Sequence, residues 1–431
     1  MLNKTKFISI TCALFLSTSI NAKELNLDEI LDIALKNNTN IQVSKYQEDI
    51  KTQELKKAKS AYLPKLSASA DIGNYDIEAS GVTQEGDATS VTLSASQLIY
   101  DFGKTSNSID ASKYNLEASS TEIQTSTKNT ILSIKEAYYD ILNKHQQIIV
   151  AKEAVSLDKL QLSQANEYFK AGVRTKIDVI NAQLNLSNSE LKLVQANYDL
   201  KISKTKLISL LGTSYEEEID VKLDSNDISS LAKSIKIEDE NLAKLINTAF
   251  DNRSELQKYK ALIKTNKANL NSAKAEYYPT LDVSASYSDK NSDDISSLEQ
   301  TQTAVLLNLK WDLFTGDTTS ANKKISLANL STTKKQFEQQ KLQIRQDVTS
   351  AYLNLEQSFE SIKINLLSLD LSTRNLNLAN ERYKAGLNDL LEVNDAKLEY
   401  TKSKTNLVNS YYTYLSNTAN LEYSLGLSGT K

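Results

Sequence analysis

Along the first part of the chain, apolar residues return at helical spacing from Leu25 to Ser60, with Leu27, Ile30, Leu31, Ala34 and Leu35 on one face. Asn241 to Lys274 repeats the pattern at an offset of 215 residues, through Leu242, Leu245, Ile246, Ala249 and Phe250. Both patterns run into a proline, Pro64 in Tyr62-Leu63-Pro64-Lys65-Leu66 and Pro279 in Tyr277-Tyr278-Pro279-Thr280-Leu281, and the chain has no other. Proline stops a helix and sets the residue before it to extended backbone, so these are helix-to-strand junctions. Beyond them the period changes to two. Leu66, Ala68, Ala70 and Ile72 alternate with Ser67, Ser69, Asp71 and Gly73, and Leu281, Val283, Ala285 and Tyr287 alternate with Asp282, Ser284, Ser286 and Ser288. A polar loop is expected at Asp76 to Ser90 and at Ser288 to Gln302, followed by a returning strand: Val91, Leu93, Ala95, Gln97, Ile99, or Val305, Leu307, Leu309, Trp311, Leu313. Each half thus holds one amphipathic hairpin.

The longest pattern comes next. Lys104 to Ala171 is 68 residues without Gly or Pro, and Val173 to Leu211 a further 39; the second half has 69 (Asp317 to Ala385) and 39 (Leu387 to Leu425). At ~1.5 Å per residue such a helix reaches about 100 Å, beyond a single globular domain. Ile131, Ile134, Tyr138, Ile141, His145 and Ile148 form a 3-4 seam suited to packing on a neighbouring helix. Between each long pair stands one glycine, Gly172 in Asn166-Glu167-Tyr168-Phe169-Lys170-Ala171-Gly172-Val173 and Gly386 in Asn380-Glu381-Arg382-Tyr383-Lys384-Ala385-Gly386-Leu387. The chain is one module written twice.

The expected division is therefore a first repeat over 23–212 (hairpin about 62–102, long helices about 104–171 and 173–211), an irregular linker over 213–240, and a second repeat over 241–431 (hairpin about 277–315, long helices about 317–385 and 387–425). The first 22 residues read as a secretory signal: Lys4 and Lys6, an apolar run from Phe7 to Leu16, and a polar segment ending at Ala22. The run is far shorter than the ~20 residues of a spanning helix. It continues past Cys12, which argues against a lipidated cysteine there, and without Cys12 the chain has no cysteine.

Ten glycines and two prolines in 431 residues fit a mainly α fold of long helices. Losing the signal moves the net charge from −4 to −6, and there is no basic run, so nucleic acid is an unsuitable partner. With one histidine and one cysteine, the usual zinc sites are excluded. No phosphate-cradling glycine loop or nucleophile elbow is present, and we expect neither enzyme activity nor cofactor or metal. No apolar stretch elsewhere has the length of a membrane-spanning helix, so any crossing is by strands. Four strands of about ten residues reach across an outer membrane but cannot close, and a barrel needs at least about 8. Pooling two, three or four chains would satisfy the edges. Trp311 with Tyr62, Tyr100, Tyr277 and Tyr278 at the strand ends suits an interfacial belt.

The doubled helix–hairpin–long helix–glycine–helix order, the Tyr-Leu-Pro-Lys-Leu and Tyr-Tyr-Pro-Thr-Leu strand starts, the Leu-Ile-Tyr-Asp-Phe-Gly and Asp-Leu-Phe-Thr-Gly strand ends and the two Lys-Ala-Gly turns resemble the TolC-type outer-membrane efflux proteins. The resemblance implies a homotrimer with a 12-strand barrel in outer-membrane lipid and a helical coiled-coil tunnel across the periplasm. It implies docking of the Gly172 and Gly386 turns on a periplasmic adaptor (membrane fusion) protein, and an inner-membrane pump of RND, ABC or MFS type, for efflux or type I secretion. It places a gate at those turns, with acidic rings at Glu392 and Asp395 and closure contacts at Asp178 and Tyr383. Where the family commonly has a basic residue two positions after the second glycine, this chain has Asn388, and Arg174 is the candidate substitute. The rival reading is a secreted coiled-coil structural protein or adhesin, which would not need two proline-started amphipathic hairpins at matched positions.

Overall fold

A computed structural model of the chain describes residues 23–79, 82–212, 219–222, 227–235, 241–293, 295 and 298–427. The expected signal segment with Cys12, and much of the linker, lie outside them. Strand β1 (Lys23–Leu25) pairs in parallel with β4 (Ile219–Val221), and a short helix α5 (Ile228–Ser234) follows from the linker.

Each repeat opens with two helices rather than the single one expected. In the first these are α1 (Leu27–Asn37) and α2 (Thr39–Lys59); in the second, α6 (Leu242–Asn252) and α7 (Ser254–Ala275). Asn26 caps α1 through reciprocal bonds with Glu29. The break falls at Asn38, whose Oδ1 accepts the Asn40 and Ile41 amides while its Nδ2 donates to the Leu210 carbonyl at 2.8 Å. A side chain that satisfies backbone groups this way competes with the helix ladder, and the apolar period alone does not register it. The second break falls at Arg253, buried against Glu255, Asp347 and the Tyr423 ring.

Each break thus grips the far end of its returning helix, where a glycine must fit. A Cβ at Gly212, whose φ is +68°, would lie 2.6 Å from the Asn37 carbonyl oxygen. Gly212→Ala is expected to cost at least about 2 kcal/mol, strain and clash together, measured as a lowered thermal midpoint. An unchanged midpoint would mean that the α1–α2 junction moves aside freely.

The hairpins are β2 (Lys65–Ala79) with β3 (Val82–Tyr100), and β5 (Thr280–Asn291) with β6 (Gln300–Lys310). They form one antiparallel sheet in the order β2-β3-β5-β6, so the repeats join at β3 and β5. Ladder pairing runs through most of the segment expected as a polar loop, with Asp76 opposite Glu85 and Ala79 opposite Val82. Backbone bonds close a ladder whatever the side chains, so polar composition alone did not locate the turn. The register sorts the faces: Leu66, Ala95, Ala285 and Val305 line up across the four strands, and on the other face Ser69, Thr92, Ser288 and Gln302 do.

The long helices are α3 (Lys104–Lys170) and α8 (Thr318–Lys384), returned by α4 (Lys176–Leu211) and α9 (Leu390–Ser424). On the α3 seam, Ile131, Ile134 and Ile141 pack with Leu31 and Ala34 of α1 and Leu207 and Leu211 of α4 in one buried cluster. His145 lies half-buried on the same helix. No helix among the described residues is long and apolar enough to cross a membrane.

Candidate functional site at the helix tips

Both long helices end in the same turn. Gly172 and Gly386 adopt φ of +71° and +74°, and the amide of the residue after each, Val173 or Leu387, reaches back to Tyr168 or Arg382. This is a Schellman termination, which needs a left-handed residue. A Cβ at either glycine would meet nothing within 4 Å, so conformation alone calls for glycine there. The returning helices are capped at once. Asp178 accepts the Thr175 amide and hydroxyl at 3.0 and 2.9 Å, and Asp389 accepts the Glu392 amide at 3.1 Å.

Arg174 brings the two turns together. Its Nη2 donates to the Asn388 carbonyl across the repeats at 2.7 Å, and its guanidinium sits 5.1 Å from the centre of the Tyr383 ring. Tyr383 is buried, edge-on to Tyr168 at 5.6 Å, in a cluster with Leu376, Ala379, Leu390 and Val393. Burial raises its phenol above the usual range; Arg174 opposes this and Asp178 adds to it. Tyr383 and Asp178 share no hydrogen bond within the protomer: the carboxylate serves Thr175, and the phenol has no partner among the described residues. Tyr383→Phe is therefore expected to stabilise the protomer by about 1–3 kcal/mol, read as a raised thermal midpoint, and Tyr383→Ala to cost about 3–5 kcal/mol. A large loss in the Phe variant would mean that the hydroxyl has a partner in the assembled protein.

Glu392 faces the tip cation Arg382, at 3.7 Å from its Nε. Asp395 is exposed one turn on, at a cleft of about 630 Å³ between α4 and α9 that Asp178, Asp389 and Asn394 also line. The buried side-chain polar atoms without a partner, among the described residues, are Gln161 Nε2, Tyr383 Oη, Asn388 Oδ1 and Asn394 Oδ1, all near this end. Each such atom costs roughly 1–3 kcal/mol.

Behind the tip, α3 of the first repeat is joined to α9 of the second by polar pairs. Asp158 pairs with Lys397, Glu153 with Lys404 and the Tyr400 hydroxyl, and Gln147 with Asn409. Burial pulls the Lys404 ammonium down, but its bond to Glu153 and the neighbouring Tyr400 together outweigh that and leave it raised. Burial, then the bond to Glu153, raises the Tyr400 phenol. The sequence pattern did not single out these pairs, although Lys397 and Lys404 stand seven apart on one face of a helix.

A family model described as "Outer membrane efflux protein" matches the chain twice, over 30–213 and 245–427, once in each repeat. The chain belongs to the outer membrane efflux protein family. Membership makes it an outer-membrane exit channel, a duct with no reaction of its own. Among relatives of the family, the outer membrane protein TolC of Salmonella enteritidis is 24% identical over 93% of this chain and 82% of its own length. The fold is that of the Campylobacter jejuni CmeC outer membrane channel (TM-score 0.80, 17% identity, 93% of this chain and 85% of that one). The outer membrane protein VceC from Vibrio cholerae matches at a TM-score of 0.78, with 16% identity over 93% of this chain and 96% of the other.

Proposed function

We propose that this outer-membrane efflux protein works as a homotrimer, whose three sheets join into a 12-strand barrel and whose helices form a periplasmic tunnel closed at the Gly172 and Gly386 turns. The observation that carries the reading is the four-stranded sheet itself, with an apolar face and with β2 and β6 as unpaired edges. An open edge in lipid costs several kcal/mol per unpaired group, so the sheet needs neighbours. Residues 1–22 act as the export signal, and 23–212 and 241–431 as equivalent halves around the 213–240 linker.

The tip is the gate. Arg174 clamps the turn of one repeat to that of the other, and the unpaired buried atoms beside it mark a region able to rearrange on opening. Asp395, with Glu392 shared by Arg382, would form acidic rings around the axis and favour cations. A periplasmic adaptor docks at the turns and couples the duct to an inner-membrane pump, which supplies the energy.

Conductance of the purified protein in a planar lipid bilayer tests this reading. Discrete cation-selective steps are expected, and an absence of steps even after the tip is unlocked would overturn it. Glu392→Gln with Asp395→Asn is expected to reduce cation over anion selectivity several-fold; unchanged selectivity would remove these residues from the gate.

A further inference from the structure

Charge is divided between the two ends of the sheet. At the end where the hairpins turn, Asp76, Glu78, Glu85, Asp87 and Asp293 are exposed, and the one lysine there, Lys290, lies 4.1 Å from the centre of the Tyr75 ring. At the end where strands meet helices the balance reverses. Lys56, Lys57 and Lys59 close α2, Lys274 stands in the last turn of α7, and Lys323 and Lys324 stand in the second turn of α8. All six are exposed, and none has an acid partner among the described residues. Most acids at this level are already engaged. Glu276 lies 3.7 Å from Lys104 and accepts the Asn322 amide at 3.2 Å, Asp312 lies 3.8 Å from Lys310, and the buried Asp101 accepts the Gly103 and Thr105 amides. That leaves Asp110 and Asp317 against six lysines. The helices α3 and α8 also begin here with no acid in the first turn, unlike α1, α4, α7 and α9. The positive ends of both helix dipoles thus add to the lysines rather than offset them.

These cations adjoin the apolar face of the sheet. Trp311 continues the exposed row of Val305, Leu307 and Leu309, and its indole N–H donates to the Tyr277 carbonyl at 3.1 Å. Lys323 sits over that same Tyr277 ring, 5.8 Å from its centre. The link from β6 to α8 leaves Leu313 bare and Phe314 86% exposed. Indole and phenol rings beside an apolar band mark the headgroup level of a membrane, so the ammonium groups fall in the headgroup layer.

We infer that this end of the sheet is a seat for anionic phospholipid, with Lys323 and Lys324 taking the headgroup phosphate beside Trp311 and Tyr277, and with the α2 and α7 lysines extending the seat around the wall. Basic side chains next to a membrane span attract anionic lipid. The inference rests on the strand-crossing duct proposed above and adds the class of lipid it selects. Acyl chains lie along the apolar strands, and the phosphodiester meets the ammonium groups. The acids at the far end repel the same headgroup, which confines the selection to one leaflet.

Trp311 is the only tryptophan of the chain, which makes it a local probe. The full protein is reconstituted in phosphatidylcholine vesicles that carry either brominated phosphatidylglycerol or the same fraction of brominated phosphatidylcholine, and Trp311 emission is read. Phosphatidylglycerol is expected to quench as if enriched about fivefold beside Trp311, the excess shrinking in high salt. Lys323→Gln with Lys324→Gln is expected to remove most of that excess and to leave quenching by brominated phosphatidylcholine unchanged, which shows the variant still inserted. Equal quenching by the two lipids in the parent protein, or an excess that survives the double variant intact, would overturn the seat. So would an excess abolished by millimolar inorganic phosphate at matched ionic strength, which would make this a site for free phosphate. No quenching by either lipid would place Trp311 outside the bilayer and overturn the strand-crossing duct itself.

Discussion

Replacing Arg174 with serine is expected to raise the ratio of open to closed ducts by three orders of magnitude or more. In each protomer the substitution removes a guanidinium bond to the Asn388 carbonyl, worth about 1.5–3 kcal/mol, and a contact with the Tyr383 ring, worth about 0.5–1 kcal/mol. In the proposed homotrimer, three protomers opening together would add these losses to about 6 kcal/mol or more, and each ~1.4 kcal/mol is a tenfold change. Single-channel recording checks this directly. Arg174→Lys keeps the charge but loses the planar stack, and should fall between serine and the parent. Equal closed times in all three proteins would mean that the clamp persists when the duct opens, so that the gate lies elsewhere.

The second large effect lies behind the tip. Asp158 is 2% exposed and paired with Lys397, so Lys397→Ala leaves a buried carboxylate without its cation. Breaking a buried pair from one side costs about 3–5 kcal/mol. The loss should appear as local opening, with hydrogen-exchange protection of α9 amides around position 397 falling by about a hundred- to a thousandfold. Asp158→Leu combined with Lys397→Met should recover most of it, because the apolar pair has no charge to desolvate. If the single variant keeps full protection, Asp158 has another partner in the assembled duct. Recovery in the double variant would assign the cost to the stranded charge rather than to lost packing.

Much of the architecture is legible in the amino-acid sequence. The doubled order of elements follows from two signals with local causes: prolines at 64 and 279 that stop helices, and a switch from helical spacing to alternation just after them. The long helices follow from the absence of Gly and Pro, and their ends from Gly172 and Gly386, since a left-handed termination favours glycine. Asn38 and Arg253 are not legible as breaks. Each interrupts its helix by bonding to a residue about 170 positions away, Leu210 or Tyr423, a contact that no local pattern contains.

The candidate site divides in the same way. Gly172 and Gly386 are found from position along the chain and Glu392 and Asp395 only through the family resemblance, and all four lie at one end of the helix pairs. The acceptor role of Asp178 is local, since its partner Thr175 stands three positions away, whereas the bond from Arg174 to the backbone at Asn388 and the Asp158–Lys397 and Glu153–Lys404 pairs depend on two repeats lying side by side. By itself the sequence determined the repeat, the element types and the residues at each turn, because propensity, periodicity and capping act over a few neighbouring positions. Only the tertiary structure decided which charges meet and which phenol is left without a partner, because those depend on distances between segments more than two hundred residues apart.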